Sequence, residues 1–373
     1  MNVTLTDRML AAADFFDGMR VYFVGGCVRD RLMGQEAKDV DLATPATPEE
    51  TEAFIRSKGR RAVRIGARFG TIGVKLGGEV VEVTTFRSES YDGHSRKPRF
   101  VQWGRDIAED LTRRDFTINA IAARPDGSII DPFGGVDDLR NHIVRAVGPP
   151  KARFTEDPLR ILRAVRFAAR FGFAIDPATE KKMNHMRWDL LRLSKERIAD
   201  EVGKMMRLSF MSAGVAIERM FGLALWQPIF PELHLQYGFD QQNPHHAHKL
   251  HHHSIKAMVS VLKHYADAED KIRRAWAALL HDVAKPFVKT LHKSGTRYNY
   301  IDHDRLGAEI ARRWMTDYRF SNDDVSFVSE SVRDHLHDDH WLRPHDKAAK
   351  TVDPEFYLEG GGPHPNLMDG AAE

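Results

Sequence analysis

The stretch VYFVGGCVRDRLMGQEAKDVDLAT, residues 21–44, decides the fold of the N-terminal part of the chain. Its first half is an apolar run that predicts a β-strand ending at Gly25 and Gly26, followed by a short helix. Its second half, DVDLAT, predicts another strand, in which Asp39 and Asp41 are two positions apart. Side chains at i and i+2 of a strand share a face, so we expect these carboxylates to project side by side.

Two adjacent carboxylates repel each other unless a cation lies between them. Hard divalent cations such as Mg²⁺ take oxygen ligands and bridge carboxylates to substrate phosphates. Gly25 and Gly26 let backbone amides approach a ligand closely, and the N-terminus of the next helix favours an anion. A phosphate cradle beside a metal-binding pair predicts nucleotidyl transfer by a two-metal in-line displacement. The P-loop pattern G-x-x-x-x-G-K-[ST] does not occur. A salt-bridged pair is the alternative for a D-x-D sequence on its own.

The segment RRDFTINAIAA adds arginines and a third carboxylate. Arg113 and Arg114 suit a triphosphate because guanidinium groups bind phosphate oxygens in pairs. Asp115 completes the metal site or holds a ribose hydroxyl. Glu82, in the predicted strand VVEVTTF, is its rival, although a side chain facing solvent is the favoured interpretation for Glu82.

Composition narrows the class of protein. The chain has 373 residues, a formal net charge of +2 and a single cysteine, Cys27. This length favours two or three domains, and one cysteine excludes an internal disulfide and favours a cytoplasmic location. No long apolar stretch or secretory signal occurs, so we expect no membrane association. Net charge alone does not predict a nucleic-acid binder, but arginines concentrate between residues 113 and 197.

The residue pattern changes near position 150. Before it, short strands and helices alternate: TPEETEAFIRSKG predicts a helix with Thr47 as N-cap and Pro48 in its first turn, and two strands join across Gly77 and Gly78. After it, helical periodicity dominates. Beyond about residue 345 the chain is rich in Gly and Pro, which predicts a poorly ordered tail or a truncated element.

Several motifs together resemble a known family. GGCVRD with DVD, then RRDFTINAIA, DPFGGVDDL, EDPLRILRAVRFAARFGF and RIADE are similar, in this order, to the motifs of class II tRNA nucleotidyltransferases, a family that contains CCA-adding enzymes and bacterial poly(A) polymerases. The resemblance covers about residues 20–205. It implies an α+β fold with a small mixed-sheet, polymerase beta-like head, followed by an all-α neck, body and HD domain. The implied boundaries are 1–145 for the head, 146–210 for the neck, 211–240 for the body or linker, 241–345 for the HD domain and 346–373 for the tail.

The resemblance also assigns roles in the head. It implies Mg²⁺ at the two aspartates of DVD and binding of CTP and ATP at the glycines and arginines. The implied catalytic residues are Asp39, Asp41 and Asp115. The implied nucleotide-binding residues are Gly25, Gly26, Arg29 and Arg114.

The motif EDPLR offers a way to select a base without a template. Asp157 lies near a predicted helix N-cap, and Arg160 is three positions later, on the same helix face. A carboxylate accepts from the exocyclic amines of cytosine and adenine, and a guanidinium donates to their ring acceptors. One Asp–Arg pair therefore serves C and A and disfavours U and G, which matches the family's selection of CTP and ATP. A surface ion pair is the alternative.

Further residues on these helices take roles from the same resemblance. Arg163 and Arg166 continue along the helix and are implied nucleotide-binding residues, with solvated helix positions as the alternative. Arg197 and Glu201 are implied to be a structural i,i+4 pair that braces the base-recognition helix.

A second group of residues lies in the C-terminal half, in LHHHSIKAM, LLHDVAKP and IDHDRL. The doublet His281-Asp282 ends an apolar helix, and His253 lies 28 residues earlier. Imidazole and carboxylate together suit Mn²⁺, Ni²⁺ or Fe²⁺, and also Mg²⁺. This pattern resembles the HD metal-dependent phosphohydrolase domain and implies a phosphatase or 2',3'-cyclic phosphodiesterase activity.

An HD site also requires a distal aspartate, and His303 and His335 are further candidates to complete it. The sequence offers four aspartates for this position: Asp334, Asp338, Asp353 and Asp369. The densely packed histidines between 245 and 253 are expected to form a polar helix entrance, and most of them are not expected to be ligands.

The leading hypothesis is a CCA-adding enzyme that acts on the tRNA 3' end as a monomer or homodimer. A full-length loop at DGHSRKPRF, residues 92–100, favours CCA or A addition over CC addition, and GARFGTIGV lacks the double basic pair typical of poly(A) polymerases. The alternatives are an A-adding enzyme, a poly(A) polymerase, an HD-linked uridylyltransferase of a signalling protein, and a phosphohydrolase with a degenerate head.

Overall fold

The computed structural model of the protein describes residues 1–37, 39–66, 70–90, 100–242 and 249–350. The chain forms two compact units. The first contains Met1–Arg160 and Ile175–Glu180, and the second contains Ile161–Ala174 and the chain from Lys181 onward. A mixed sheet in the first unit and a mostly helical second unit confirm the predicted α+β class.

The first unit is built around one sheet. Its helices are α1 (Asp7–Phe15), α2 (Gly26–Leu32), α3 (Pro48–Ser57), α4 (Ile107–Thr112), α5 (Gly135–Arg140) and α6 (Pro150–Glu156), with a 3-10 turn at Thr117–Asn119. Its strands are β1 (Tyr22–Val24), β2 (Asp41–Thr44), β3 (Ala62–Gly66), β4 (Thr71–Leu76), β5 (Glu79–Thr85), β6 (Arg87–Ser90), β7 (Phe100–Trp103), β8 (Ala122–Ala123), β9 (Ile129–Ile130) and β10 (Ile143–Val144).

The order of the strands brings distant segments together. The sheet runs β3-β4-β5-β2-β1-β8-β9, while β6 pairs with β7. Strand β2 is antiparallel to β1 and parallel to β5. Apolar side chains such as Tyr22, Val24, Phe86 and Leu111 form a buried cluster with this sheet. The core therefore fixes β1, β2 and β5, and with them the start of β2 at Asp41 and the middle of β5 at Glu82.

Local sequence signals explain several elements. Thr47 and Glu50 form the capping box of α3, with Pro48 in its first turn, as predicted. Gly77 and Gly78 both have positive φ, 57° and 92°, in the turn that joins β4 to β5. Two consecutive positive φ angles match the twist of a tight hairpin, which explains why glycine stands at both positions.

Strand β2 begins at Asp41, two residues later than predicted. The register of β1 with β2 pairs Tyr22 with Ala43 and Phe23 with Leu42. Beyond Val24 the chain turns into α2 at Gly25, whose φ is 70°, so β1 offers no partner for the residues before Asp41. Asp39 is exposed in a bend ahead of the strand. The expectation that both aspartates share a strand face is therefore wrong.

The second unit is mostly helical. Its helices include α7 (Leu159–Phe171), which begins in the first unit, and α8 (Pro177–His185), which crosses into the second. The remaining helices are α9 (Lys195–Met206), α10 (Phe210–Gly222), α11 (Trp226–Ile229), α12 (Pro231–His234), α13 (Leu250–His264), α14 (Lys271–Leu280), α15 (His303–Asp317), α16 (Asn322–Asp334) and α17 (Arg343–Ala348), with 3-10 turns at Arg187–Arg192 and Lys285–Phe287.

Two short strand pairs interrupt the part of the chain predicted to be all-α. Strand β11 (Ala174–Ile175) pairs with β10, and β12 (Thr290–Leu291) forms a hairpin with β13 (Tyr298–Asn299). Helix α17 extends into the segment 346–373 that the sequence assigns to a tail, and residues 351–373 lie outside the described residues. In the described part of the chain, every helix is too short or too polar to cross a bilayer.

Candidate active sites

Three carboxylates, Asp39, Asp41 and Glu82, lie near the start of β2. Asp41 is the first residue of β2, and the parallel register with β5 places Glu82 opposite it. Burial and the charges of Glu82 and Asp39 raise the pKa of Asp41 to about 6, against the opposing charge of Arg114. A buried carboxylate destabilised by like charges is a site where a divalent cation is favoured. The residues present therefore fit Mg²⁺.

The structure separates the two candidates for the third carboxylate. Glu82 is half-buried beside Asp41 rather than facing solvent. Asp115 is buried, and its Oδ1 accepts hydrogen bonds from the Phe116 amide and from Asn119 Nδ2, both at 2.9 Å. Register therefore places Glu82 at the cation site, whereas Asp115 holds neighbouring backbone and an amide side chain.

Arg29 belongs to a buried polar network. Its side chain is 5% exposed, and its Nε donates to Asp30 Oδ1 at 2.8 Å. Its Nη1 donates to Asn119 Oδ1 at 2.5 Å, and Asn119 in turn donates to Asp115. This burial favours a positioning role for Arg29, which couples α2 to the RRDFTINA segment, over the predicted contact with nucleotide.

Arg114 approaches the glycine pair closely. A Cβ atom at Gly25 would lie 2.6 Å from Arg114 Nη1, and the φ of 70° at Gly25 already disfavours other residues. The Asp110 carboxylate, buried within α4, contacts Arg113 Nη2 at 2.6 Å and Arg114 Nη2 at 3.4 Å. Asp110 thus orients both arginines. The sequence prediction missed it, although its i,i+3 and i,i+4 spacing to the arginines was a signal.

Cys27 supports the backbone at the carboxylate site. Its Sγ lies 3.3 Å from the Val24 carbonyl and 3.7 Å from the Asp41 carbonyl. Burial raises the pKa of the thiol to about 11, so it stays protonated and donates weakly to these oxygens. Cys27 therefore holds the ends of β1 and β2 together without acting as a nucleophile.

Asp157 and Arg160 occupy the start of α7. Asp157 Oδ1 accepts from the Leu159 amide at 3.2 Å, which is the predicted capping contact. Arg160 Nη1 donates to Glu156 Oε2 and Nη2 donates to the Arg113 carbonyl, both at 2.7 Å. Arg160 therefore contacts the segment that carries Arg113 and Arg114 and does not form the alternative ion pair with Asp157.

Arg166, farther along α7, lies in a buried ion pair. Its Nε donates to Glu201 Oε1 at 2.5 Å, and the Glu201 side chain is 1% exposed. Glu201, which the sequence pairs with Arg197, thus connects α9 to α7. The Arg163 guanidinium lies 5.2 Å from the Phe167 ring centre. These contacts favour a bracing role for Arg166, and its predicted contact with nucleotide stays a prediction.

Six buried side chains converge in the second unit. They fall into two groups of potential metal ligands, each with ligand atoms within 4.8 Å of one another. The groups are His253, His281 and Asp346, and Asp282, His303 and His335. The structure therefore brings together His253, His281 and Asp282, the three ligands predicted from the sequence. The further candidates His303 and His335 lie with them.

The hydrogen bonds of these histidines prepare them as ligands. The Nδ1 atoms of His281, His303 and His335 lie 2.7, 2.6 and 2.6 Å from backbone carbonyl oxygens. A carbonyl only accepts, so each Nδ1 carries a proton, and each Nε2 presents a lone pair when the imidazole is neutral. The residues present therefore fit divalent transition metals, which neutral imidazole favours.

Asp282 joins the two groups. Its Oδ2 lies 3.3 Å from His253 Nε2 and 3.2 Å from His281 Nε2, while its Oδ1 lies 3.3 Å from His303 Nε2. Lys285 Nζ contacts the same Oδ2 at 2.7 Å. One carboxylate thus serves both groups, so the geometry accommodates two cations that share Asp282.

Asp346 on α17 supplies the distal aspartate. Its Oδ1 lies 3.2 Å from His253 Nε2. Asp334 and Asp338, proposed from the sequence, pair with Arg333 and Arg343 instead. The other two candidates, Asp353 and Asp369, lie outside the described residues. Asp346 was missed because the sequence after residue 345 resembles a tail, whereas a short helix carries this residue back to α13.

Charge in this cluster is balanced by protons. Burial disfavours a charged His281, yet Asp282 and Asp346 raise its pKa to about 10. Burial and the charge of His281 lower the pKa of His335 to about 3. Against burial, contacts with His253 and His281 hold the pKa of Asp346 well below its usual range. In the metal-free protein, protonated His281 neutralises part of the charge of these carboxylates. A bound divalent cation would supply this positive charge instead.

A third group, Glu218 with His251 and His252, differs in kind. The Gly238 amide donates to His251 Nδ1 at 3.3 Å, so the neutral ring carries its proton on Nε2, which faces Glu218 Oε1 at 3.7 Å. Glu218, His251 and His252 lie close enough together to hold a cation, so the expectation that most of these histidines are not ligands stays a prediction. Residues 245, 246 and 248 of the histidine-rich stretch lie outside the described residues.

Comparison with known families divides the chain into three parts. Residues 21–145 match the poly A polymerase head domain. Residues 172–236 match a family described as the probable RNA and SrmB-binding site of polymerase A, and residues 250–355 match the HD domain.

Curated relatives resemble about half of the chain. A CCA-adding enzyme of Lactobacillus helveticus is 47% identical over 189 residues, which are 50% of this chain and 46% of that protein. A CCA-adding enzyme of Geobacillus sp. is 42% identical over 212 residues, 57% of this chain and 52% of that protein. The chain thus spans about half the length of the curated relatives it matches.

Solved structures resemble the chain over most of its length. The CCA-adding enzyme of Bacillus stearothermophilus in complex with CTP has a TM-score of 0.57 and 27% identity, covering 98% of this chain and 91% of that one. A tRNA nucleotidyltransferase complexed with a primer tRNA and an incoming ATP analogue has a TM-score of 0.60 and 27% identity, covering 92% and 87%. Fold and domain order therefore agree with these proteins.

Proposed function

We propose that this chain, a member of the tRNA nucleotidyltransferase and poly(A) polymerase family with an HD domain, adds CMP, CMP and AMP from CTP and ATP to the 3' end of tRNA in the cytoplasm. The 3' hydroxyl of the RNA attacks the α-phosphate of the nucleotide, and pyrophosphate leaves. The names of the curated relatives and the nucleotide and tRNA complexes of its structural neighbours support this substrate class.

The observation that carries the proposal is the carboxylate group near the start of β2. Asp39, Asp41 and Glu82 would hold Mg²⁺, with Glu82 in the place first expected for Asp115. When bound there, Mg²⁺ supplies charge stabilisation for the triphosphate and lowers the pKa of the attacking hydroxyl. Arg114, fixed by Asp110 beside Gly25, is placed to bind phosphate oxygens. In this arrangement Asp115 is a positioning residue for Asn119 and Arg29.

Base selection is assigned to Asp157 and Arg160. Arg160 already contacts the carbonyl of Arg113, so the side chain is held next to the arginines proposed to bind the triphosphate. The Asp157 carboxylate accepts from an exocyclic amine and Arg160 donates to a ring acceptor, a pattern that C and A satisfy and U and G do not. A base that satisfies only one of the two partners leaves the other polar group unpaired, which penalises the wrong base.

The test is an extension assay with purified protein and Mg²⁺ on tRNA that lacks its 3' end. We expect incorporation from CTP and ATP and none from UTP or GTP. Extension with ATP alone and without a defined end would instead identify a poly(A) polymerase. Extension only of tRNA that already ends in CC would identify an A-adding enzyme.

The six-residue cluster supports a second activity, hydrolysis of phosphate esters or 2',3'-cyclic phosphates. His253, His281 and Asp346 would hold one divalent cation, and the second group would hold another, with Asp282 shared. When bound, these cations supply an activated water and bind the phosphate oxygens. Mn²⁺ and Ni²⁺ suit the histidine-rich ligand set better than Mg²⁺. Hydrolysis of 2',3'-cyclic AMP with each of these metals in turn tests the proposal.

A further inference from the structure

We call the six buried side chains of the second unit the HD cluster; they are His253, His281, Asp282, His303, His335 and Asp346. The segment between two of them has an unusual charge. It joins Asp282 to His303, so both of its ends are anchored at the cluster. We name residues 285–301 of this segment the basic lip. It contains four cationic residues and no aspartate or glutamate. The cations are Lys285, Lys289, Lys293 and Arg297.

The base of the lip is fixed by two of these lysines. Lys285 Nζ contacts Asp282 Oδ2 at 2.7 Å. Lys289 Nζ donates to the Asp240 carbonyl at 3.1 Å and lies 4.2 Å from the centre of the Tyr298 ring. These contacts hold the base of the lip beside the cluster. They also engage the ammonium groups of Lys285 and Lys289 within the protein.

The tip of the lip carries the other two cations, and both are exposed. The hairpin pairs Leu291 with Tyr298, and the His292 amide donates to the Arg297 carbonyl at 2.8 Å. Arg297 Nη2 lies 3.4 Å from His292 Nε2. In the described part of the chain, neither Lys293 nor Arg297 has a carboxylate within ion-pair distance. The tip therefore presents two uncompensated positive charges.

Apolar side chains are exposed on the same segment. Phe287 is 48%, Leu291 is 58% and Ile301 is 67% exposed. Cations that track a backbone of phosphates, interleaved with aromatic and apolar side chains that contact bases, are the features of surfaces that bind single-stranded nucleic acid. An acidic peptide would match the charge but would not use the exposed apolar side chains.

We propose that the basic lip binds a single-stranded stretch of RNA and presents its 3'-terminal phosphate to the HD cluster. The proposal rests on the proposed phosphohydrolase function and specifies its substrate as the end of an RNA strand rather than a free mononucleotide. Lys293 and Arg297 contact phosphates one or more nucleotides upstream of the reacting end, and Phe287 contacts a base.

The first experiment does not depend on hydrolysis. The full chain is photocrosslinked to a single-stranded RNA that carries 4-thiouridine next to a 3'-phosphate, and the crosslinked peptides are identified by mass spectrometry. We expect crosslinks within residues 285–301 that are lost in Lys293→Glu/Arg297→Glu. Absence of crosslinks in this segment would overturn the proposal, whether or not the cluster hydrolyses anything.

The second experiment compares two substrates. With Mn²⁺, the KM for an RNA with a terminal 2',3'-cyclic phosphate should rise at least about tenfold in Lys293→Glu/Arg297→Glu, while hydrolysis of 2',3'-cyclic AMP stays within about twofold. The slope of log KM against log salt should fall by about 1.4, which corresponds to two lost phosphate contacts. The variant Lys271→Glu/Arg312→Glu has the same change in charge on α14 and α15 and should leave both substrates unaffected.

The remaining outcomes separate the two proposals. Equal loss on both substrates, or equal effects of the control variant, would overturn the role of the lip. Competition by polyglutamate as strong as that by poly(A) would show an acidic-protein or general anion site and would also overturn it. Failure of the unmodified protein to hydrolyse 2',3'-cyclic AMP with any metal would instead refute the phosphohydrolase function, and the crosslinking result would still decide the role of the lip.

Discussion

Asp41 is destabilised as a carboxylate by burial and by its neighbours, which raise its pKa to about 6. Its pKa in the unfolded chain is lower, so this residue contributes stability that is fully present below about pH 4 and is lost as the pH rises through about 6. The loss is on the order of 3 kcal/mol at pH 7.5 without metal. A bound cation would remove this loss of stability. The repulsion that destabilises the metal-free protein therefore favours binding of a cation.

Asp41→Asn should therefore have opposite effects on stability and activity. In EDTA at pH 7.5 the variant should melt at a higher temperature than the unmodified protein, because asparagine removes the repulsion with Glu82, and the difference should shrink toward pH 4. Extension of tRNA should fall at least about a hundredfold. Thermal melts at both pH values and a primer-extension assay measure this. A lower melting temperature at pH 7.5 would contradict the electrostatic account.

Glu82 and Asp115 can be distinguished by their metal dependence. Glu82→Gln should raise the Mg²⁺ concentration required for half-maximal extension at least about tenfold, because it removes a proposed ligand. Asp115→Asn should leave this requirement unchanged and lower the free energy of unfolding by about 1–3 kcal/mol, because it disrupts buried hydrogen bonds. Titration with Mg²⁺ and chemical denaturation of both variants measure these effects. A higher Mg²⁺ requirement in Asp115→Asn but not in Glu82→Gln would show that Asp115, and not Glu82, is a metal ligand.

Candidate site residues that stand in short sequence motifs could be predicted. Those that strand pairing or helix packing brings to a site could not. Asp39, Asp41, Arg114 and His281 stand in short motifs whose chemistry is visible in the sequence. Glu82 is placed beside Asp41 only by the parallel pairing of β2 with β5, two strands separated by a helix and a hairpin. Asp346 was missed for the same reason, since packing of α17 on α13 brings it to the histidines.

At the scale of elements, the start of α7 carries the proposed base selection. Arg160→Ala should raise incorporation of UMP relative to CMP at least about tenfold, because the donor that distinguishes the ring acceptor of C from the N–H of U is lost. Glu156→Gln is the control, since Glu156 forms ion pairs with Arg160 and Arg153 but is not proposed to contact the base. The ratio should stay within about twofold in that variant. Equal relaxation in both variants would show that the ion pair, and not base contact, determines the effect.

Elements with strong local signals were predicted well. The capping box of α3 and the glycine turn between β4 and β5 are set by adjacent residues and agree with the structure. The start of β2 was misplaced because strand ends depend on where the partner strand turns away, here at Gly25. The hairpin β12–β13 was not expected, since two-residue strands leave little periodicity in the sequence.

At the scale of the whole molecule, the change in composition near residue 150 predicted a mixed head and a helical remainder. The division between the two compact units falls within α7, after Arg160, and the head boundary at residue 145 stays a prediction. A continuous amphipathic helix conceals such a boundary, because its periodicity is the same on both sides. The assignment of neck, body and HD domain by residue range stays a prediction.

The shared carboxylate of the HD cluster predicts how many cations the protein binds. Metal analysis after dialysis against Mn²⁺, with every chain carrying Asp41→Asn to remove the β2 carboxylate site, should give two equivalents for the chain with an intact cluster, one each when Asp346→Ala or His335→Ala is added, and fewer than one with Asp282→Asn, since Asp282 contacts both groups. Circular dichroism verifies that each variant is folded. Loss of one equivalent only in Asp282→Asn would contradict a shared ligand.

One extension assay decides whether the protein transfers nucleotides to tRNA at the β2 carboxylates. Three tRNA substrates ending in the discriminator base, in C and in CC are incubated with Mg²⁺ and each nucleotide, and the products are resolved at single-nucleotide length. The account predicts that all three are completed to CCA with CTP and ATP, that UTP and GTP are not used, and that Asp39→Asn and Asp41→Asn abolish every addition. Undiminished addition by the Asp41→Asn variant, or equal use of UTP, would contradict it.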